Sequence, residues 1–505
     1  MALLDTLAPL RAHDGHRRTV GLDDATVLTF AASYPELVEA IAAAGEEYAR
    51  IRDEFPELLD LDERAQVETV QGGFVNFYAM DTVNPYVALA ARGPWVVTLK
   101  GAVLHDSGGY GMLGFGHVPK PVIEAMSKPQ VMANIMTPSL VQLRFDRAIR
   151  KEVGHTRAAS EAGGGGPYSK FLCLNSGSES VSLAGRIADV NTKLMTDPGA
   201  PHAGRKVKRI AMKGSFHGRT ELPALYSDSS AKNYAAHLGS YRYHADQLIT
   251  IEPYNIQQLE QVFADAEREG WHIEAMMIEP VMGEGDPGRA LPRAFYDAAR
   301  RLTKAHGTLL LIDSIQAGLR AQGVLSIVDY PGFEGIEAPD METYSKALNA
   351  AQYPLSVLAV NERAAGLYRK GTYGNTMTTN PRALDVACAV LAQLTPELRA
   401  NIHDKGKEAI AKLEALKAEL PGLITKVQGT GLLFSCELAP QFKGYGTGST
   451  EEWMRERGIG VIHGGENSLR FTPTFAVTSD ELDLLIGMIK RALLEGPRQQ
   501  QAAAA

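Results

Sequence analysis

The sequence has few cysteines and no long apolar segment. Its three cysteines, Cys173, Cys388 and Cys436, lie far apart in a chain of 505 residues. An odd, scattered set argues against a disulfide framework and against a cysteine-based zinc site, so we expect a reducing, cytoplasmic location and no metal. No run of about 18 apolar residues occurs, which argues against a membrane span.

The distribution of charge excludes further classes of protein. The chain has 51 basic and 59 acidic side chains, a net charge of -8, and no dense Lys/Arg segment interleaved with aromatic residues. These numbers argue against binding to nucleic acid or to an anionic membrane. Asp5 and Pro9 lie where a signal peptide needs a basic region and then a continuous apolar run. We therefore expect a small-molecule partner.

Alternating apolar and helical segments predict an α/β fold. The hydrophobic share of 45% and the charged share of 22% are those of an ordinary globular protein. Five short apolar runs are separated by helical segments, at 171–174, 209–212, 275–278, 308–312 and 355–360. Such runs are typical of a mostly parallel sheet, in which ligands bind at the carboxyl ends of the strands. The first 90 residues or so predict a helical arm, and residues beyond about 385 a smaller α/β part.

Two carboxylates and a lysine follow these apolar runs. Glu279 and Asp313 come directly after two of the predicted strands, and Lys346 lies further along the chain. A pyridoxal-phosphate (PLP) enzyme needs a lysine for the Schiff base and an anion that keeps the pyridine nitrogen protonated. Each residue by itself also has an ordinary interpretation, a solvated lysine or a carboxylate at the edge of a sheet.

Two other turns follow predicted strands and could contact a ligand. Ser176, Gly177 and Ser178 lead into a helical segment, so their N–H groups could bind a phosphate, or the serine could simply cap the helix. Phe216 follows the next strand, where it could stack on a flat ring or belong to the core. The glycine-rich segment around Tyr110 permits close approach of the backbone or forms a flexible loop.

The order of these features, continued by Thr376 and Arg470, resembles that of the class III PLP-dependent aminotransferases, which act on substrates such as ornithine, acetylornithine, 4-aminobutyrate and other ω-amino acids. The resemblance runs from about residue 95 to 490. It implies fold type I of the PLP-dependent transferases, with a large, mostly parallel domain and a smaller α/β domain from the N- and C-terminal segments. We expect the arm and part of the small domain in 1–105, the large domain in 106–385 and the remainder of the small domain in 386–505.

The resemblance also implies site residues. Lys346 and Asp313 would be catalytic, and the cofactor would contact Ser176, Gly177, Ser178, Phe216, His217, Asp313, Gln316, Lys346 and Thr376. In this arrangement Gln316 reaches the ring hydroxyl, and Thr376 reaches the phosphate of a neighbouring subunit, which implies a homodimer with shared sites. Substrate would contact Tyr110, Glu279 and Arg470, with Arg470 binding a carboxylate and Glu279 pairing with Arg470 when no α-carboxylate is bound.

The implied reaction is transamination with ping-pong kinetics. An amine or amino acid would displace Lys346, which then moves a proton as general base, and an oxo acid such as 2-oxoglutarate or pyruvate would receive the amino group. A PLP-dependent aminomutase or amino-acid epimerase of the same fold is the alternative, because it uses the same lysine, aspartate and phosphate loop. A PLP-binding protein without catalysis is a third hypothesis, against which Lys346, Asp313 and Gln316 argue.

The chain departs from the family pattern near the expected site. Ser314 stands where the family has glutamate, Ala317 stands where it has threonine, and Arg320 is shifted by one position. The segment after Lys346 lacks the usual glycine-rich run. None of these changes removes a group that the chemistry needs.

Overall fold

Helices and strands alternate along the chain in a computed structural model that describes residues 2–131, 134–157, 166–244 and 246–499. The helices are α1 Ala2–Arg11, α2 Asp24–Ala31, α3 Pro35–Glu54, α4 Pro56–Leu59, α5 Glu63–Gln71, α6 Lys120–Ser127, α7 Leu140–Glu152, α8 Gly177–Thr196, α9 Glu221–Ala224, α10 Ala231–His237, α11 Ile256–Glu269, α12 Arg293–Ala305, α13 Glu362–Leu367, α14 Pro381–Leu391, α15 Pro396–Glu419, α16 Thr450–Glu456 and α17 Ser479–Glu495. The strands are β1 Ala88–Arg92, β2 Trp95–Thr98, β3 Val103–Asp106, β4 Lys170–Leu174, β5 Lys206–Met212, β6 Leu248–Ile251, β7 Trp271–Ile278, β8 Leu309–Asp313, β9 Met341–Tyr344, β10 Ser356–Val360, β11 Ile424–Thr430, β12 Leu433–Leu438, β13 Ile459–Gly460, β14 Ile462–Gly464 and β15 Ser468–Phe471.

The chain divides into two compact units. Unit 1 comprises Met1–Lys120, Asp404–Gln428 and Leu432–Ala505, and unit 2 comprises Pro121–His403 and Gly429–Gly431. The predicted division into an arm with part of the small domain in 1–105, a large domain in 106–385 and the remainder of the small domain in 386–505 stays a prediction. Among the described residues no single helix is long and apolar enough to cross a membrane, and α2 with α3 reaches that length and composition only across a bend of 118°.

Unit 1 contains two four-stranded sheets and the long amphipathic helix α3. The sheets have the strand orders β1-β2-β3-β13 and β11-β12-β15-β14. Helix α3 begins with Pro35 at its first position and buries Leu37, Ala40, Ile41 and Ala44. This spacing places the four side chains on one face, which explains why the segment is helical. The amphipathic pattern of residues 34–54 predicts a helix within the N-terminal arm, and α3 confirms it.

Unit 2 is built on a seven-stranded sheet of order β4-β10-β9-β8-β7-β5-β6. The pairs from β9 through β8, β7 and β5 to β6 are parallel, whereas β10 runs antiparallel to both β9 and β4. The central strands are apolar and buried on both faces, as in β8, where Leu309 to Ile312 are fully buried. The predicted α/β fold with a mostly parallel central sheet is confirmed.

Two features of the sheets differ from the predictions. Strand β9, which leads to Lys346, was not predicted, because Glu342 interrupts its apolar pattern. The apolar pattern of residues 429–438 predicts one strand, but this segment is divided between β11 and β12 at Gly431, which has a φ of 54°. A Cβ at Gly431 would lie 2.2 Å from the Ala321 carbonyl oxygen, so close packing of two backbones requires glycine and ends the strand there.

Candidate active site

The expected site residues of unit 2 gather at one edge of its sheet. Strands β5, β7, β8 and β9 are parallel, and β4 points the same way because both β4 and β9 are antiparallel to β10. The carboxyl ends of these five strands therefore meet at one edge. The residues at or just after those ends are Ser176 to Ser178, Phe216 and His217, Glu279, Asp313 and Lys346.

Asp313 is a buried carboxylate bonded to a buried histidine. His217 Nδ1 lies 2.8 Å from Asp313 Oδ2, and the Ile315 N–H donates to Oδ1 at 3.2 Å. Since a carboxylate only accepts, the ring donates through Nδ1. The other ring nitrogen, Nε2, is buried and has no hydrogen-bond partner among the described residues. The hydrogen bond that the structure describes for the His217 side chain is thus with Asp313.

Lys346 and Gln316 contact each other through their side chains. The half-buried Lys346 donates from Nζ to Gln316 Oε1, and its backbone has a φ of 46°. A positive φ is uncommon for a residue other than glycine and costs about 1–3 kcal/mol. Gln316 Nε2 is buried without an acceptor in the described part of the chain. This end of the sheet therefore holds a strained lysine beside an unsatisfied amide.

Glu279 links the loops that follow β5 and β7. Its carboxylate accepts from the Phe216 N–H at 3.1 Å and from the Gly283 N–H at 2.8 Å. Burial raises the pKa of Glu279 to about 7; His217 acts in the opposite direction, and the charge of Asp313 adds to the rise. A carboxyl group with a pKa near neutrality is suited to gain or lose a proton when a charged ligand arrives.

The Phe216 loop contacts the serine-rich turn before α8. Phe216 is half-buried, and the guanidinium carbon of Arg219 lies 4.6 Å from its ring centroid. A Cβ at Gly218, whose φ is 112°, would lie 2.4 Å from Ser178 Oγ. Only glycine fits at this contact, so its presence brings the two loops together.

The turn at Ser176 serves as a helix cap. Its side chain accepts a hydrogen bond from the Glu179 N–H at 3.3 Å, in agreement with the alternative that this serine caps the helix. Gly177 and Ser178 are the first residues of α8, where N–H groups have no intrahelical acceptor. A Cβ at Gly177 would lie 2.6 Å from Ile315 Cδ1, which places this turn against the segment that follows Asp313. Capping and phosphate binding are therefore compatible here.

Thr376 lies in an exposed turn that is attached to the end of β4. Asn175 Nδ2 donates to Asn375 Oδ1 at 3.3 Å, and the Thr379 N–H donates to the Cys173 carbonyl oxygen at 3.1 Å. The Thr376 side chain itself is exposed. Within one chain, this turn is held beside the segment that leads to Ser176.

Two of the expected substrate contacts belong to unit 1. Tyr110 lies in a short 3-10 helix at Gly109–Gly111, and its side chain is outside the described part of the structure. Asp106, just before this turn, accepts from the Gly108 and Gly109 N–H groups. Burial opposes ionisation of Asp106, but hydrogen bonds from His117 and from these N–H groups lower its pKa to about 2. Arg470 is buried on β15, where it pairs with Ser435 of β12.

Two residues near the site were not singled out from the sequence. Arg219 stacks on Phe216, and the cation three residues after an aromatic residue is the sequence signal for this contact. Glu342 accepts a hydrogen bond from Ser314, the neighbour of Asp313. An acid inside the otherwise uncharged segment Met341–Tyr344 could have marked it as a buried polar group.

Known proteins match this chain over most of its length. The family model "Aminotransferase class-III" matches residues 77–493. The acetylornithine aminotransferase of Xanthomonas axonopodis pv. citri is 30% identical over 315 residues, which are 62% of this chain and 71% of that protein. The acetylornithine aminotransferase of Neisseria meningitidis serogroup B is 28% identical over 426 residues, 81% of this chain and 95% of that protein.

Solved structures agree with the fold. An ornithine aminotransferase from Toxoplasma gondii ME49 has a TM-score of 0.69 at 22% identity, covering 88% of this chain and 98% of that one. Another structure of the Toxoplasma gondii enzyme has a TM-score of 0.70 at 23% identity, covers 88% of this chain and 97% of that one, and has PLP at partial occupancy in its active site. The family match and the position of Lys346 and Asp313 at the sheet edge agree, and this chain belongs to the class III aminotransferases, a family of PLP-dependent transaminases.

Proposed function

We propose that this transaminase takes its amino group from an amino acid of the ornithine or acetylornithine type and gives it to 2-oxoglutarate or pyruvate. The transaminase site itself is supported by the contact of Lys346 with Gln316 at the same sheet edge as the Asp313–His217 pair. The names of the similar proteins support the class of donor. Arg470 would bind a substrate carboxylate.

The residues at the sheet edge fit PLP. Gln316 Nε2 is a buried donor without an acceptor among the described residues, as expected of a group that meets the oxygen of a ring hydroxyl. Asp313, 4% exposed, has a carboxylate that can hold a protonated ring nitrogen. Gly177 and Ser178 offer helix N-terminal N–H groups to the phosphate. When bound, PLP supplies an electron sink for the carbon that loses its proton.

The side chains of this site would bind and orient the cofactor and transfer the proton. Lys346 Nζ would hold the cofactor covalently and, once displaced by the donor, move a proton as general base. His217 would orient the Asp313 carboxylate through the 2.8 Å hydrogen bond. Phe216 would cover one face of the ring, while the Arg219 guanidinium lies over the phenyl ring of Phe216. Glu279, with a pKa of about 7, would adjust its charge to that of the substrate.

A half-reaction screen tests the proposed donor. Single amino acids, including ornithine and acetylornithine, are added to the purified PLP-loaded enzyme without any oxo acid, and the absorbance band of the lysine-bound cofactor is followed. We expect one equivalent of carbonyl product, loss of the band, and its return when 2-oxoglutarate or pyruvate is added. Racemisation or rearrangement of the amino acid at many turnovers without an oxo acid would instead establish the isomerase alternative.

We also propose that the enzyme is a homodimer in which Thr376 binds the phosphate in the partner's site. Exposed apolar side chains around the start of α7 support this proposal: Ile135, Met136, Leu140 and Leu143 are 48–80% exposed. Asn134 Nδ2 donates to the Thr376 carbonyl oxygen at 2.9 Å, so this surface is continuous with the Thr376 turn. A second copy of the chain would cover it.

A mixed-subunit experiment tests the sharing of sites. Lys346→Ala and Thr376→Val chains, each expected to be inactive or weakened alone, are denatured and refolded together. If Thr376 acts in the partner's site, the hybrid contains one site with both residues, and activity rises well above the sum of the separate variants. If no rise occurs although hybrids form, Thr376 does not act across the interface.

The oligomeric state has its own control. Met136→Asp, at a position 80% exposed, should convert the dimer to a monomer in light scattering. Leu194→Asp, at a position 52% exposed on α8, should leave the mass unchanged. Equal masses for both variants and the wild type would contradict the assignment of this surface.

A further inference from the structure

Glu342 is a buried carboxylate in the centre of the large sheet. It lies on β9 between β8 and β10, opposite Ile312 on one side and Ala359 on the other, and it is fully buried. No lysine or arginine in the described part of the chain forms an ion pair with Glu342. A carboxylate at such a position is costly unless several donors satisfy it, and an apolar residue would be the ordinary choice.

Five donors surround the Glu342 carboxylate. Oε1 accepts from Ser314 Oγ at 2.6 Å and from the Ile327 N–H at 2.9 Å, and Oε2 accepts from Tyr168 OH at 2.6 Å, Ser326 Oγ at 2.5 Å and Tyr344 OH at 3.0 Å. Burial raises the pKa of Glu342, and four of these hydrogen bonds oppose the rise. The carboxylate is therefore an acceptor for several segments at once.

These donors come from segments that lead into the cofactor site. Ser314 directly follows Asp313, and Tyr344 precedes Lys346 by two residues. Ser326 and Ile327 lie at the end of the segment that begins near Gln316, and Tyr168 precedes the strand that leads to Ser176. Through these bonds, one side chain connects the ends of β8 and β9.

We propose that Glu342 is a positioning residue that fixes Asp313 relative to Lys346. The hydrogen bond from Ser314 Oγ to Glu342 fixes the backbone next to Asp313. The hydrogen bond from Tyr344 OH to Glu342 fixes the end of the strand that precedes Lys346. The Ser314 N–H also donates to the Thr343 carbonyl oxygen at 3.1 Å, which extends the junction of the two strands. A displacement of about 1 Å between two reacting groups can lower a rate by about 100-fold, so this junction affects the chemistry without touching the substrate.

A comparison of two buried glutamates of the same sheet tests the positioning role of Glu342. Glu342→Gln keeps the size of the side chain but replaces an acceptor with a donor. Glu274→Gln is the matched control, because Glu274 on β7 is also buried and accepts from a tyrosine, Tyr226, at 2.6 Å, but it bonds to Arg209 and not to a neighbour of Asp313 or Lys346. Apoenzyme is titrated with PLP, and the absorbance band of the lysine-bound cofactor is then titrated with pH.

The expected result separates positioning from general stabilisation. Glu342→Gln should raise the dissociation constant of PLP by about tenfold or more and shift the pH midpoint of the band, as supporting residues around a site do. Glu274→Gln should lower the melting temperature and leave both cofactor readouts within about twofold of the wild type. A wild-type PLP constant and pH midpoint in Glu342→Gln, or equal changes in both variants, would overturn the proposal.

If Glu342→Gln does not fold, two variants that each remove a single hydrogen-bond donor test the same proposal. Tyr344→Phe removes one donor to Glu342, and Tyr226→Phe removes one donor to Glu274. Only Tyr344→Phe should shift the pH midpoint, and no shift in either variant contradicts the proposal. The inference rests on Lys346 as the cofactor lysine but not on the identity of the donor. If Lys346→Ala leaves the band unchanged, the assignment of Lys346 is wrong, and the PLP constants of the two glutamate variants still decide whether Glu342 supports the site.

Discussion

The two ends of the seven-stranded sheet hold their buried carboxylates differently. Towards the amino ends of the strands, Glu274 and Asp340 each pair with an arginine, at 2.5 and 2.9 Å. At the carboxyl end, no lysine or arginine in the described part of the chain pairs with Asp313 or Glu279. The buried carboxylates at one end thus have a guanidinium partner, whereas Asp313 and Glu279 at the other end are bonded to a histidine or to backbone N–H groups.

This difference separates stability from binding. Removal of one partner from a buried ion pair leaves an uncompensated charge, which costs about 3–5 kcal/mol. A buried carboxylate without a cation is already costly in the folded protein, and such groups are concentrated at functional sites. The buried Gln316 Nε2 donor and the buried His217 Nε2, neither with a hydrogen-bond partner among the described residues, lie at the same carboxyl end. We therefore expect substitutions at the carboxyl end to lower activity and substitutions at the amino end to lower stability.

The largest effect is expected for Lys346→Ala. Without the amine, the protein should lose the absorbance band of the lysine-bound cofactor, and turnover should fall by about 10⁴-fold or more, since both the covalent link and the general base are lost. Lys213→Ala is the control, because the Lys213 side chain is 65% exposed and pairs with Glu252 on the surface. A K346A protein that retains the band would break the assignment of the carboxyl end.

Paired substitutions of Asp313 and Asp340 test the comparison directly. Asp313→Asn should lower kcat by about 10²–10³-fold, the usual effect of removing one electrostatic stabiliser, with little change in melting temperature. Asp340→Asn should destabilise the protein by about 3 kcal/mol, because it weakens the pair with Arg300, while the folded fraction keeps its kcat. Activity assays and thermal unfolding of both variants decide; loss of kcat in D340N alone would reverse the comparison.

Glu279→Gln should change how stability depends on pH. The folded-state pKa of Glu279, about 7, lies above the ordinary value of 4.5 for a glutamate. The stability contributed by the protonated group is therefore complete below the unfolded pKa and is lost as the pH rises through about 7, by about 3 kcal/mol in total. Without PLP, the melting temperature of E279Q should gain on that of the wild type between pH 5 and pH 8. A constant difference across this range would show that Glu279 titrates normally.

The smallest effect is expected after Lys346, where the family pattern has glycines. Ala350 and Ala351 have φ values of 51° and 59°. Ala351→Gly should stabilise the protein by about 0.5–1 kcal/mol, because relief of left-handed strain exceeds the entropy cost of glycine. Ala392→Gly, at an exposed helix end where φ is -66°, should destabilise the protein by a similar amount. Equal effects of the two in thermal unfolding would argue against strain at Ala351.

Much of the sheet was predictable from the sequence, and one strand was not. The apolar runs before Glu279 and Asp313 are strands in the structure because their side chains are buried on both faces. Strand β9 was not predicted, because a glutamate in the sequence indicates a surface position. The hydrogen-bond donors that make burial of Glu342 possible come from residues as distant as Tyr168. Long-range hydrogen bonds of this kind leave no periodic pattern in the sequence.

The candidate site was predictable as a set of residues but not as a set of contacts. The order of the motifs predicts Lys346, Asp313 and Gln316 as members of one site. The bond of His217 to Asp313 spans 96 positions and depends on the pairing of β5 with β7 and of β7 with β8. The pKa of Glu279 depends on its burial, which only packing determines.

The fold class, the family and the chemical groups of the site follow from the amino-acid sequence alone, because apolar runs and motif order are local properties of the chain. Folding then establishes which partner each of those groups receives. Glu274 and Glu279 lie on or directly after the same strand, yet one pairs with Arg209 and the other with two backbone N–H groups. The physical reason is that the cost of a buried charge depends on the partners that the fold brings to it.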